Sequence, residues 1–97
     1  MFKYWSIKKY GSKLLPLLEK NYGTRQYYTG SQIRTIIYKK DFDPKYLPLG
    51  YILFLDPSSL ESVLTDEFPG LKVTEYKKEI LKFLEKRSYR GFLQILQ

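Results

Sequence analysis

The chain has 97 residues, 43% of them hydrophobic and 18% aromatic, with a net charge of +7. Such a composition describes one folded domain, not a disordered segment. Cysteine and histidine are both absent, which excludes disulfides, Cys/His zinc sites, Ser-His-Asp triads and thiol nucleophiles.

The charge is unevenly placed. Residues 1–45 carry ten Lys/Arg and three Asp/Glu, residues 46–97 carry seven of each, and the stretch 46–70 holds four acids and no base. A basic first half favours anionic partners. Leu14–Leu18 is too short for the apolar core of a signal peptide. Tyr46–Leu55 is apolar but too short to span a bilayer as a helix. The expectation is a cytoplasmic protein with no transmembrane segment.

Residues 3–22 fit one amphipathic helix. Tyr4, Ile7, Tyr10, Leu14, Leu15, Leu17, Leu18 and Tyr22 share one arc, and Lys8, Lys9, Ser12, Lys13, Glu19 and Lys20 share the other. The two halves stay in phase across Pro16, so the sequence predicts a kink there and not a break. Gly23 ends the helix. Thr29 and Gln32 then form a capping box for a helix at 29–40. Its inward ridge is Ile33, Ile36 and Ile37, and Ser31, Arg34, Thr35 and Tyr38 face outward.

Asp43-Pro44 starts a third helix over 45–55, with Pro48 tolerated only near its first turn. This segment is apolar on nearly every side, which places it at the centre of the fold. Asp56-Pro57 repeats the start signal for a short helix at 57–65. Thr74 reads as the cap of a last helix at 75–87, with Tyr76, Ile80, Phe83 and Leu84 on one face. The tail 88–97 retains Phe92, Leu93, Ile95 and Leu96. The fold class is a compact all-α bundle of about five helices around a buried central helix, in a single domain over 1–97.

The segments IKKYGSKLLPLLEKNYG at 7–23, YYT at 27–29 and KYLPLGYILFLD at 45–56 together resemble a family of small bacterial proteins of unknown function. The likeness covers about residues 4–60. It implies a stand-alone α-helical domain with no assigned activity and no catalytic residues. Pro48 and Gly50 depart from the family pattern, which favours small helix formers there.

Four groups are candidates for function. The outward face at 29–40, with Arg34, Tyr38, Lys39 and Lys40, has residue types that read guanine and meet phosphates. The preceding helix is too long for a standard helix-turn-helix, and 24–28 has no tight-turn glycine. Phe2 and Trp5 fall on the polar side of the first helix beside Lys8 and Lys9. They suit a binding anchor or a membrane-surface contact. The plainer expectation is that the first turn bends and Trp5 folds back onto another element. The tyrosine-rich basic half can stack bases, yet Tyr4, Tyr10, Tyr22 and Tyr28 fit the core or its rim. The acids Asp41, Asp43, Asp56, Glu61, Asp66 and Glu67 lack a calcium-loop pattern, and no metal or cofactor is expected.

The reading from sequence is a non-enzymatic binding or adaptor module. It uses a basic N-terminal surface (Trp5, Lys8, Lys9, Arg34, Tyr38, Lys39, Lys40) toward a protein or other anionic partner. The alternatives are nucleic-acid binding through the helix at 29–40, and peripheral membrane contact through Phe2 and Trp5.

Overall fold

In the computed structural model, which describes residues 3–87, the organising element is a short helix with no solvent face. This is α4 (Leu47–Phe54), in which every residue from Leu47 to Leu53 is buried. Burying one large apolar side chain is worth about 1.5–3 kcal/mol, so an all-apolar helix is stable only when neighbours cover all of it. They are chiefly α1 (Tyr4–Ser12), α3 (Gly30–Lys39), α5 (Pro57–Glu67) and the 3-10 turn at Pro44–Tyr46 that leads into α4, while α2 (Leu14–Tyr22) packs on α1 and α3 and α6 (Val73–Lys86) completes the order. Among the described residues the only β-type pairing is an isolated parallel bridge between Tyr28 and Leu55. The architecture is the expected all-α bundle, with six α-helices among the described residues.

The extra helix comes from Pro16. The single helix expected over 3–22 is two helices, separated at Lys13, whose φ of −112° is far from the ideal helical value although the residue stays in the αR region. Proline has no N–H for the Ser12 carbonyl and crowds it sterically. The ladder therefore parts one turn upstream of the proline. Lys13 keeps an αR-type conformation, and Ile7, Tyr10, Leu14 and Leu18 all remain buried. Gly23 closes α2 at φ 88°.

The capping box of α3 is present in full: the Thr29 hydroxyl accepts from the Gln32 N–H at 3.1 Å, and the Gln32 amide oxygen accepts from the Thr29 N–H at 3.1 Å. Ile33, Ile36 and Ile37 are buried. The end of α3 turns through Asp41, which has φ 61°. There the Phe42 N–H donates to the Ile37 carbonyl at 3.0 Å, a left-handed helix stop of the Schellman kind. Asp43 caps the 3-10 turn by accepting from the Lys45 N–H at 3.0 Å. Pro48 lies in the first turn of α4, where a missing N–H leaves no partner wanting. Asp56 caps α5 by accepting from Ser58 N–H at 3.0 Å.

The last helix begins earlier than expected. Lys72, not Thr74, is the N-cap residue, and no side chain caps it. The Tyr76 N–H donates to the Lys72 carbonyl at 2.9 Å. Starting at Val73 lets that residue pack against the core, where it is partly buried. The tail at 88–97 lies outside the described residues.

Tyrosines do much of the packing. The Tyr10 ring meets Phe42 edge-on at 5.3 Å and Tyr46 at 6.3 Å between centroids, the geometry aromatic rings prefer. Their hydroxyls are used: Tyr10 donates to the Asp43 carbonyl at 2.6 Å, and Tyr46 accepts from the Lys3 N–H at 2.7 Å. The Tyr28 hydroxyl donates to the Gly23 carbonyl at 2.7 Å, tying down the 24–28 link. The hydroxyl of Tyr76, on α6, is buried without a hydrogen-bond partner. Burial drives its pKa upward.

Gly50 marks where α4 comes closest to its neighbours. A Cβ there would sit 3.2 Å from Ile37 Cδ1 and 3.2 Å from Tyr10 Cε2. The departure from the family pattern at this position is thus a matter of space. Gly50→Val is expected to lower stability by about 1–3 kcal/mol through overpacking, read as a lower urea midpoint at unchanged m-value. Tyr76→Phe is expected to be neutral or stabilising by up to about 1 kcal/mol, because the buried hydroxyl it deletes makes no well-formed hydrogen bond and has only a weak approach from the Leu49 backbone. A clear drop in the midpoint would instead reveal a bond made by that hydroxyl.

Candidate functional site

The sequence placed seven candidate residues on one basic surface. The structure sorts them into those held by the fold and those left for contact.

Arg34 is held. One of its nitrogens, Nη1, donates to the Tyr51 hydroxyl at 3.0 Å and to Glu67 Oε2 at 2.5 Å, while the Tyr51 hydroxyl donates to Glu67 Oε1 at 2.5 Å. The three side chains tie α3, α4 and the end of α5 together. Gly30 belongs to this arrangement, since a Cβ there would lie 3.1 Å from Arg34 Nη1. Burial, and after it the hydrogen bond to the Glu67 carboxylate, push the Tyr51 pKa up to about 12 against the opposing pull of Arg34.

Lys9 is also engaged. Its Nζ donates to the Lys40 carbonyl at 3.3 Å and the Asp41 carbonyl at 3.1 Å, and it lies 4.6 Å from the centre of the Phe42 ring. These carbonyls belong to the end of α3, where no intrahelical donor remains and a cation is favoured. Lys9 therefore fastens α1 to the end of α3.

The remaining candidates are open. Trp5 is 72% exposed and Tyr38 is 62% exposed, and Lys39 and Lys40 are exposed at the end of α3. The expectation that Trp5 folds back onto another element is not met. Its ring packs edge-on against Tyr4 at 5.3 Å and carries Lys8 Nζ 4.8 Å from its centre. Tyr4 and Lys8 are residues of its own helix, so α1 holds the indole upright without covering it. Phe2 lies outside the described residues.

Beside Trp5 is a shallow groove of about 450 Å³ that it lines with Lys9, Asp41, Phe42, Asp43 and Pro44. The Lys9 bonds bring the Lys40 end of α3 to this groove. Arg34 sits six residues earlier on α3, about 9 Å along the axis, and its guanidinium is turned to Tyr51 and Glu67. Trp5, Lys8 and Lys40 thus belong to one end of the molecule and Arg34 to another part. The groove's far wall, Asp41 to Pro44, was legible only as a turn. Nothing in its sequence says that α1 packs beside it.

A second hollow, of about 430 Å³, lies at the corner of α5 and α6 and is lined by Leu60, Glu61, Leu64, Thr65, Phe68 and Leu71. The sequence showed the apolar faces of these helices, but not that Phe68-Pro69-Gly70 would splay them apart. Among the described residues no group of three or more Asp/Glu is arranged to hold a metal ion. No helix among them is long and apolar enough to cross a membrane.

Fold and surface together define a small basic all-α domain with a tryptophan-bearing end. The chain belongs to a family of unknown function, DUF6559, whose model matches residues 1–95. No curated protein and no solved structure matches it.

The raised pKa of Tyr51 predicts an alkaline limit to stability. Tyrosine titrates near pH 10 when unfolded, and folding holds Tyr51 protonated to about 12. The stabilisation is therefore complete below pH 10 and is lost as pH rises toward 12. Stability measured by urea unfolding should decline across that window by up to about 1.4 kcal/mol per pH unit from this one group. Burial raises the Tyr10 and Tyr76 hydroxyls as well, so Tyr51→Phe should make the decline shallower without abolishing it, while lowering stability at neutral pH. An unchanged alkaline slope in that variant would show that Tyr51 contributes nothing to it.

Proposed function

We propose that this protein is a cytoplasmic, non-enzymatic binding module whose contact surface is the Trp5 end of the fold. One observation carries the reading: the sole tryptophan of the chain stands 72% exposed at the edge of a groove. Tryptophan is the residue type most enriched among interface anchors. Covering an indole removes about 150–250 Å² from water. Lys8 Nζ lies over the indole, and the Lys9 bonds bring the Lys40 end of α3 to the same groove, which favours a partner that is acidic. A polar, charged rim around an aromatic centre is the usual anatomy of a protein contact.

Nucleic-acid binding through α3 is the competing reading. The engagement of Arg34 with Tyr51 and Glu67 counts against it. The side chain best suited to pair with guanine would have to leave an ion pair and a buried phenol to do so.

Trp5 reports on this surface directly, because no other tryptophan contributes emission. A Glu/Asp-rich peptide is expected to shift Trp5 fluorescence at low ionic strength, with the effect shrinking as salt screens the lysines. Lys8→Glu combined with Lys40→Glu should abolish it. No response to the peptide would overturn the proposal. A response only to DNA would transfer the site to the competing reading, and a blue shift only with anionic vesicles would transfer it to a membrane surface.

A further inference from the structure

Residues 88–97 lie outside the described residues, but the point where they leave the fold is described. There α6 ends against the first turn of α1. The Arg87 guanidinium lies 5.7 Å from the centre of the Tyr4 ring and 5.4 Å from that of Phe83, so two cation–π contacts hold this end of α6 down. Tyr4 is also the ring that props Trp5, edge-on at 5.3 Å. One tyrosine therefore separates the exposed indole from the start of the segment. The segment carries Phe92, Leu93, Ile95 and Leu96, with one base, Arg90, and no acid.

We propose that residues 88–97 fold back over α1 and seat Phe92 and Leu93 on the Trp5 indole, as a strap that competes with the acidic partner. The inference rests on the reading of Trp5 as a contact residue and adds how access to it is regulated. Reach selects this occupant, because the charges lining the groove are mixed, Lys9 with Asp41 and Asp43. Fully extended, the backbone from Arg87 to Phe92 covers at most about 18 Å, ample to pass one ring and meet Trp5. The α5–α6 hollow is lined by Val73, at the other end of α6. That helix runs about 21 Å at 1.5 Å per residue, so the backbone at Phe92 stops short of the hollow. Trp5 stands 72% exposed, so the seated strap exchanges with an open arrangement. An indole offers only about 150–250 Å², well below the roughly 800 Å² per partner of a stable complex. The strap is therefore weak enough for a partner to displace.

Trp5 emission in the full chain tests this. Phe92→Ser combined with Leu93→Ser removes the strap's apolar residues, and Arg87→Ala removes its tether. Each change is expected to shift the emission to the red and to raise its quenching by acrylamide, a neutral probe that the lysines do not attract. The double variant should also bind the Glu/Asp-rich peptide more tightly, by the reciprocal of the open fraction: about twofold if wild type divides equally between the two arrangements. A second measurement reads the contact directly. The chain has no cysteine, so Ser6→Cys, in the groove beside Trp5, paired with Gly91→Cys should close one intramolecular disulfide under oxidised glutathione. It should close faster than Thr65→Cys, on the wall of the hollow, paired with the same Gly91→Cys.

Emission and quenching unchanged in both variants would overturn the proposal. So would a disulfide to the hollow that closes at least as fast as the one to the groove. If the strap fails on these measures while the acidic peptide still shifts Trp5 fluorescence, the binding module stands without this regulation. If the strap is present and the peptide moves neither wild type nor the double variant, the competition fails together with the binding module.

Discussion

Everything in this fold follows from the need to cover α4 on all sides. A helix running Leu47-Pro48-Leu49-Gly50-Tyr51-Ile52-Leu53, with each of these residues buried, has no face to give to water. Most surface helices of small proteins lend one stripe to the core, whereas this one is the core. Its neighbours approach closely enough that any Cβ at position 50 would press on Ile37 and Tyr10, each 3.2 Å away. Its start is prepared by a capped 3-10 turn and a first-turn proline, both of which shape the chain without needing buried donors. Tyr51 is the single polar group carried through its middle, and the hydroxyl is met at once by Arg34 and Glu67. That satisfies the rule that a buried polar group needs a partner.

The same demand decides which charged residues are available for anything else. Packing five helices about one apolar rod leaves helix ends and long links to be secured, and the basic first half supplies the means. Lys9 serves the carbonyls at the end of α3, and Arg34 spans α3, α4 and α5. Both looked like members of a free cationic surface when read along the chain. The surface that remains is smaller and lies at one end: Trp5 and Lys8 on α1, with Lys39 and Lys40 where α3 stops. The polarity of the molecule is sharpened by this sorting, because the cations withdrawn from the surface are those already neutralised by carbonyls or by Glu67.

The legible parts of the structure were those governed by neighbours in sequence. The Thr29–Gln32 box, the Asp56-Pro57 start and the isoleucine ridge of α3 depend on residues within a turn of one another, and they are present as read. The all-round burial of Tyr46–Leu55 was legible because no polar side chain interrupts it except tyrosine. The split at Lys13 was missed because helical phase is insensitive to a local gap when both halves keep packing on the same core. Lys72 replaces Thr74 as the start of α6 because Val73 gains burial, a tertiary effect that outweighs a cap. The Arg34 network joins residues 17 and 33 positions apart. No pattern of local spacing reports such a contact, and the same is true of the Lys9 link and of both hollows.

The exposed indole is hard to reconcile with a structure tuned only for stability. At about 25 cal/mol per Å², an indole of 150–250 Å² left in water forgoes up to about 4–6 kcal/mol, comparable to much of the net stability of an ordinary domain. Tyr10 and Tyr46, on or next to the same helix, show that the core here accepts large aromatics readily when they face it. Trp5 is instead propped outward between Tyr4 and Lys8, one helical turn from Lys9, whose own bonds fix the angle of α1 against α3.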